Sequence, residues 1–150
     1  MTEIREGDAA PDFDVPGFNG RKKLSDYRGK VVVIYFYPKD FTPGCTTEAC
    51  EFRDSYPDFK SKGIEVFGIS VDSENSHKRF AEKYALPFLL VPDHSKEIAS
   101  KYGVLGETSA KRVTFIIGKD GKVAFKFPKV SPKNHAKEVL SKVTELGLLA

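Results

Sequence analysis

The chain contains short apolar runs with the length of strands, separated by segments in which apolar residues recur at helical spacing. The clearest run is Val31 to Tyr37, a continuous β-branched and aromatic stretch that Pro38 ends. Such a run is typical of a strand buried on both faces. Two later runs flank the turn sequence 118–121, Gly-Lys-Asp-Gly, which predicts a hairpin. The predicted strands are 31–37, 65–71, 88–91, 113–117 and 123–127.

Four segments have the pattern of helices. The first begins at about Pro43, and Pro57 should kink this helix or divide it in two. Others are predicted at Ser76–Tyr84, at Ser95–Tyr102 and from Pro132 onward, where the apolar positions form one stripe. The residues up to Lys23 are rich in Gly, Pro and Asp, which predicts turns and short extended pieces.

The order of these elements determines the predicted fold. Long helical crossovers imply parallel strand pairing, and the hairpin adds an antiparallel partner. We therefore predict an α/β protein with a thioredoxin-like fold, in which helices flank a mixed central β-sheet. No repeat, linker or low-complexity tract divides residues 1–150, so we expect a single domain.

Composition narrows the class of protein. The 150 residues are 40% hydrophobic and 30% charged, with a net charge of +3, which excludes a disordered chain. No apolar run approaches the roughly 18 residues of a membrane span, and the polar start lacks a signal-peptide core, so we expect a cytoplasmic protein. Residues 111–142 hold nine basic residues against two acidic ones, but the lysines are spread out. We interpret them as a solvated face and predict neither nucleic-acid nor membrane partners.

Two cysteines, Cys45 and Cys50, follow the first buried strand. Thr42 can cap the next helix and Pro43 can open it, which puts Cys45 in the first turn. Unpaired backbone N–H groups and the positive end of the helix dipole favour a thiolate there, so Cys45 is a candidate nucleophile. The alternative is that Cys45 is a small buried hydrophobic residue, as free cysteines commonly are.

The spacing of the two cysteines limits how they can pair. Five residues of α-helix rise by about 7.5 Å, whereas a disulfide needs Cα atoms within about 7 Å. The pair can close only if the start of the helix unwinds. This favours a disulfide made during turnover over a permanent structural bridge, and that second possibility stays open.

Other kinds of site lack the necessary pattern. Cys-x4-Cys with scattered histidines has no zinc-ligand spacing, so we predict no metal and no cofactor, and place the histidines at the surface or at caps. Glu48 and Glu51 are interpreted by default as helix-surface residues. Cations that could stabilise a reacting thiolate are Lys39, Arg53 and Arg112. The histidines are His77, His94 and His135.

One motif is specific enough to identify a family. The sequence Pro38-x-x-x-Thr42-x-x-Cys45, within a longer matching stretch from Phe36 to Thr46, resembles the active site of the peroxiredoxins, and in particular of peroxiredoxin Q, the bacterioferritin comigratory type. The resemblance extends over nearly the whole chain. Further matching segments are 7–13, 24–30, 68–72 and 112–116.

The resemblance implies a thiol-dependent peroxidase that reduces hydrogen peroxide and organic hydroperoxides in antioxidant defence. Cys45 would attack the peroxide and become a sulfenic acid. Thr42 would hydrogen-bond the thiolate and the peroxide, Arg112 would polarise the O–O bond, and Pro38 would shield the sulfur. The backbone N–H groups of Gly44 and Cys45 would bind peroxide oxygens. Glu48 would position the arginine.

The same resemblance assigns the later steps. Cys50 would resolve the sulfenic acid as an intramolecular disulfide, and thioredoxin or a glutaredoxin-like protein would reduce it. A monomer is favoured, and a dimer is the alternative. Two other functions stay open: a disulfide oxidoreductase, which the missing Cys-x-x-Cys opposes, and a binding protein in which Cys45 and Cys50 only stabilise the fold.

Overall fold

A computed structural model describes residues 4–17 and 20–149. Two short strands, β1 (Asp14–Gly17) and β2 (Gly20–Lys23), form an antiparallel pair, and a 3-10 helix follows at Leu24–Tyr27. The remaining elements are β3 (Val31–Phe36), α1 (Pro43–Ser61), β4 (Ile64–Ser70), α2 (Glu74–Tyr84), β5 (Leu89–Pro92), α3 (Glu97–Lys101), β6 (Val113–Ile117), β7 (Val123–Phe127) and α4 (His135–Glu145). All five predicted strands and all four predicted helices are confirmed, and no predicted end differs from the observed one by more than three residues.

The central sheet is mixed, as predicted. Its order is β5-β4-β3-β6-β7, and β3 pairs parallel with β4 and antiparallel with β6. Every residue of β3 is buried, because helices cover one face of the sheet and α3 with the N-terminal segment covers the other. The middle strand is therefore fixed on both faces, and its C-terminal end is a rigid support for the loop that follows.

The long helix α1 departs from one expectation. Pro57 lies inside it, yet α1 continues to Ser61, so the possibility that Pro57 divides the helix was wrong. Phe52 and Phe59 are fully buried on either side of the proline. Burial of these rings offsets the backbone hydrogen bond that a proline removes.

None of the helices in the described part of the chain is both long and apolar enough to cross a membrane.

Candidate active site

Cys45 lies where the end of β3 meets the start of α1. Thr42 occupies the N-cap position, and the first helical backbone bond runs from the Thr46 N–H to the Thr42 carbonyl, at 2.9 Å. Gly44 and Cys45 precede Thr46, the first residue whose N–H is bonded within the helix. Their own N–H groups therefore have no carbonyl partner there. The Cys45 side chain is only 1% exposed. The helix start therefore directs positive dipole density at a protected sulfur, as predicted.

Arg112 is the cation that reaches this sulfur. The β3–β6 register pairs Phe36 with Val113, so Arg112 lies beside the end of β3. Its Nη2 donates to Cys45 Sγ at 3.2 Å, and its Nη1 donates to Glu48 Oε1 at 2.7 Å. One planar guanidinium thus joins the thiol to a carboxylate, an arrangement that suits the fixed fork geometry of arginine.

The other two candidate cations lie elsewhere. Lys39 is exposed, and Arg53 donates from Nη1 to the Tyr84 carbonyl at 3.0 Å. Neither has a hydrogen bond to Cys45 in the described part of the chain.

Glu48 is buried, with no measurable exposure, so its default interpretation as a helix-surface residue was wrong. It lies one turn after Cys45, on the side of α1 that faces the sheet, and there it pairs with Arg112. Among the described residues, its second oxygen, Oε2, has no hydrogen-bond partner. Burial raises the Glu48 pKa to about 7, although the charge and hydrogen bond of Arg112 act in the opposite direction. Glu48 therefore gains and loses a proton near neutral pH.

Thr42 and Pro38 frame the loop before the helix, and both are partly exposed. The expected side-chain cap is absent, because the Thr42 hydroxyl donates to the Lys39 carbonyl at 2.8 Å instead of accepting from the helix. With its proton committed to Lys39, the Thr42 oxygen has lone pairs left to accept a hydrogen bond.

Gly44 leaves room for the arginine. A Cβ atom at this position would lie 3.2 Å from Arg112 Nη2 and 3.4 Å from Pro132 Cγ. The guanidinium therefore packs directly over the helix start, and the Pro132 ring also lies close to Gly44. The sequence indicates Gly44 only for its N–H group and gives no sign of Pro132, because nothing in it relates the loop before α4 to the start of α1.

Cys50 lies in the same unbroken helix as Cys45, and both thiols are free. Cys50 is partly exposed, whereas Cys45 is buried. With α1 intact, the rise of about 7.5 Å over five residues keeps the two cysteines beyond disulfide distance.

Two of the three histidines are buried, so their predicted surface or cap positions were wrong. His135 is 1% exposed and contacts Thr114 Oγ1 at 2.8 Å and Glu138 Oε1 at 2.9 Å, and burial lowers its pKa. His77 is fully buried against Asp40. Only His94 is exposed, as expected.

A group of potential ligand atoms surrounds His77. Atoms from Asp40, Asp72 and His77 lie within 4.8 Å of one another, which is the kind of donor set that holds a metal ion. Their oxygens and nitrogens are, however, already hydrogen-bonded to one another and to neighbouring serine and tyrosine hydroxyls. This cluster could not be predicted from the sequence, because its members come from three separate segments.

A helix-start cysteine beneath an arginine, at the end of the central strand of a thioredoxin-like sheet, defines a thiol-based redox enzyme. The comparisons with known proteins agree. Residues 6–126 match the AhpC/TSA family. Peroxiredoxin Bcp of Bacillus subtilis is 43% identical over an alignment of 153 positions, gaps included, that covers 96% of this chain and 98% of the relative. Peroxiredoxin Q, chloroplastic, of Sedum lineare is 42% identical over 97% of this chain and 81% of the relative.

Solved structures give the same result. A Cys-to-Ser mutant of Xylella fastidiosa PrxQ superposes with a TM-score of 0.91 at 31% identity, covering 98% of this chain and 99% of that one. The chain therefore belongs to the AhpC/TSA family, and within it to the peroxiredoxin Q and Bcp group, which confirms the resemblance and the fold class. Membership of this family supports a thiol-dependent peroxidase.

Proposed function

We propose that this protein reduces hydrogen peroxide and organic hydroperoxides at Cys45. The observation that carries the proposal is the 3.2 Å contact between Arg112 Nη2 and Cys45 Sγ at a helix N-terminus. A permanent cation beside the sulfur stabilises the thiolate, which is the nucleophilic form of cysteine. The same cation stabilises the negative charge that develops on a peroxide as its O–O bond breaks.

The first step is a displacement at oxygen. The Cys45 thiolate attacks the terminal peroxide oxygen, an S–O bond forms, and the O–O bond breaks. The sulfur is oxidised by two electrons to a sulfenic acid, and the leaving alkoxide or hydroxide takes up a proton to become an alcohol or water. The Thr42 oxygen accepts a hydrogen bond from the incoming peroxide, and the free N–H groups of Gly44 and Cys45 hold its oxygens. Pro38 limits the access of water.

Glu48 supports this step indirectly. It accepts from Arg112 Nη1 at 2.7 Å and so fixes the plane in which Nη2 faces the sulfur. Since Glu48 is fully buried, its own position is set by the packing of α1. In this proposal Glu48 positions Arg112 and does not contact the peroxide.

Cys50 completes the oxidation. Its thiolate attacks the Cys45 sulfur, an S–S bond forms, and hydroxide leaves and is protonated to water. The first turns of α1 must unwind for the two sulfurs to meet, because the intact helix keeps them apart. A small dithiol protein, thioredoxin or glutaredoxin-like, then supplies two electrons and two protons and becomes a disulfide itself.

One relative of known structure bears on the substrate. The bacterioferritin comigratory protein of Xanthomonas campestris, 31% identical to this chain with a TM-score of 0.87, is described by its alkyl peroxide reduction activity. This similarity supports organic hydroperoxides as substrates of the present protein, alongside hydrogen peroxide.

Three further properties belong to the proposal. The first is that residues 1–150 form one domain. In support of this, the two hydrophobic core clusters lie on opposite faces of one sheet and include residues from Phe13 to Val143. The protein acts in the cytoplasm, where reducing conditions suit two free thiols. Chloroplastic relatives exist, so the compartment varies within the group. The protein works as a monomer, since both reacting cysteines lie in one helix. Sedimentation of the reduced protein tests this oligomeric state.

The central test is intact-mass measurement of the reduced protein after one equivalent of hydrogen peroxide. We expect fast loss of two mass units as the disulfide forms, and no such loss in Cys45→Ser. Cys50→Ser should instead accumulate a sulfenic acid that dimedone traps. Thiol loss no faster than that of an ordinary cysteine would refute the peroxidase and favour the oxidoreductase or the binding protein.

Two further sets of variants test the residue roles. Arg112→Ala should slow oxidation of Cys45 by about tenfold or more, because an oriented charge at the developing anion is lost. Thr42→Val should also slow oxidation strongly, whereas Thr42→Ser, which retains the hydroxyl, should not. Equal rates for the two threonine variants would remove the hydroxyl from the mechanism.

A further inference from the structure

A buried network of polar side chains links residues 37–42, the loop between β3 and α1, to the start of α2. We call residues 37–42 the active-site loop. Asp40, 3% exposed, lies between Pro38 and Thr42. Its Oδ1 accepts from the Tyr37 hydroxyl at 2.6 Å, and its Oδ2 contacts Ser76 Oγ and His77 Nδ1, both at 2.8 Å. Burial holds the pKa of Tyr37 well above its usual value, with the Asp40 charge acting in the same direction, so this hydroxyl remains a donor.

The partners of His77 fix where its protons are. His77 Nε2 lies 3.0 Å from the carbonyl oxygen of Val91, which can only accept, so Nε2 carries a hydrogen. His77 Nδ1 faces Asp40 Oδ2 at 2.8 Å, and a hydrogen bond at this distance requires one proton between the two atoms. Both ring nitrogens are thus engaged. The fully buried imidazole joins β5 to the middle of the active-site loop.

The backbone of the loop is held as well. The Asp40 N–H donates to Asp72 Oδ2 at 2.9 Å, and the same oxygen accepts from Ser70 Oγ at 2.6 Å. The next residue, Phe41, has a φ of +65° and is 43% exposed. A left-handed conformation is unfavourable for an aromatic residue and persists only where the surroundings hold it. The hydrogen bonds of Asp40 and the contact of the Phe41 ring with Phe80 hold the loop on both sides of this residue, immediately before Thr42.

We propose that His77 is a positioning residue for the reaction at Cys45, which it serves by holding Asp40 and, through it, the loop that carries Thr42 and the start of α1. This inference rests on the proposed peroxidase function. His77 does not contact the peroxide. It sets the backbone from which the Thr42 oxygen and the helix N–H groups meet the substrate.

Two substitutions of His77 separate its two hydrogen bonds. His77→Asn puts an amide nitrogen near the position of Nδ1 and retains the bond to Asp40, but loses the bond to Val91. His77→Gln puts its amide nitrogen near the position of Nε2, with the opposite result. We expect His77→Gln to slow Cys45 oxidation by about tenfold or more, and His77→Asn to stay within about threefold of the parent, because loss of a charge-assisted bond misplaces the loop.

The assay uses a Cys50→Ser background, in which Cys45 is the only thiol. Oxidation by hydrogen peroxide, trapped with dimedone, requires an aligned substrate, whereas alkylation by iodoacetamide requires only the thiolate. His77→Gln should therefore lower the oxidation rate far more than the alkylation rate. His94→Gln, at the exposed histidine, is the matched control and should change neither rate. Urea unfolding of each variant shows that the rates are those of folded protein.

A second pair of variants tests the same contact from the loop side. Asp40→Asn can accept from Tyr37 and donate to a neutral His77, so it should retain most of the oxidation rate. Asp40→Ala removes every side-chain contact, keeps only the backbone N–H bond to Asp72, and should lose most of the oxidation rate. If the His77 variants do not fold, the two Asp40 variants still show whether the contact between Asp40 and His77 affects the oxidation rate.

Three results would overturn the inference. These are equal oxidation rates in His77→Gln and His77→Asn, equal rates in Asp40→Asn and Asp40→Ala, or a parallel fall in oxidation and alkylation. Each of them is distinct from failure of the proposed function, in which the Cys50→Ser parent itself would be oxidised no faster than an ordinary thiol.

Discussion

Replacement of Glu48 by Gln should change how the stability of the protein depends on pH. Burial raises the pKa of this carboxyl to about 7, from an ordinary value of 4.5. Below pH 4.5 it is protonated in both the folded and the unfolded chain. Between pH 4.5 and 7 the unfolded chain releases the proton and the folded chain keeps it, so unfolding becomes more favourable as pH rises. Stability that is present below pH 4.5 is therefore lost as pH rises through about 7.

The magnitude follows from the two pKa values. A tenfold change in a proton equilibrium corresponds to about 1.4 kcal/mol, so the wild-type protein loses about 3 kcal/mol between pH 4 and pH 8 through Glu48. The opposing effect of Arg112 is already contained in that value, because its charge and hydrogen bond lower the pKa. Glu48→Gln is neutral at every pH and lacks this loss, while all other groups titrate as before.

Urea unfolding of the reduced protein at pH 4, 6 and 8 measures this effect. The free energy of unfolding of Glu48→Gln, relative to wild type, should rise by about 3 kcal/mol across the range. Glu82→Gln, at an exposed carboxyl of α2, is the control and should stay within about 0.5 kcal/mol of wild type throughout. A Glu48→Gln curve parallel to wild type would mean that Glu48 ionises in the folded protein as it does in the unfolded one.

Three other substitutions test the packing around the site and the sheet. Gly44→Ala brings a Cβ within 3.2 Å of Arg112 Nη2 and should slow Cys45 oxidation by about tenfold; an unchanged rate of thiol loss would refute the tight fit. Gly68→Ala brings a Cβ within 2.8 Å of the Tyr35 hydroxyl and should lower the free energy of unfolding in urea by about 1–3 kcal/mol. An unchanged midpoint of urea unfolding would contradict this prediction. Asp93→Ala removes a carboxylate that accepts from two N–H groups at the start of α3, so we expect the free energy of unfolding to fall by about 1–2 kcal/mol. A smaller fall would mean that these two hydrogen bonds contribute little to stability.

The fold could be predicted from the sequence because proline and glycine residues mark the ends of its strands and helices. The apolar run that contains β3 has seven residues, 31–37, and is bounded by Pro38, and the β6–β7 hairpin has two glycines in its turn. Such signals are local, and they do not depend on which elements meet. The one error concerned Pro57, where burial of aromatic rings on both sides outweighed a local rule.

The site was predictable only where one segment or one strand pairing determines it. Cys45 and Thr42 lie within a single loop and helix start, and Arg112 follows from the position of β6 beside β3. The burial of Glu48 and His77 could not be deduced, because a charged residue on a helix is usually exposed and only the assembled structure supplies its partner. Asp40 and His77 are 37 residues apart, and no periodic pattern connects them.

The separation of Cys45 from Arg112 affects the protein while it is being synthesised. Arg112 lies 67 residues further along the chain, in a strand that joins the sheet beside β3. At about 5–20 residues per second, translation needs about 3 to 13 seconds to pass from the thiol to its guanidinium. In the proposed mechanism, the nascent chain carries during that interval a cysteine without the arginine that would stabilise its thiolate. The site is complete only when β6 joins the sheet beside β3.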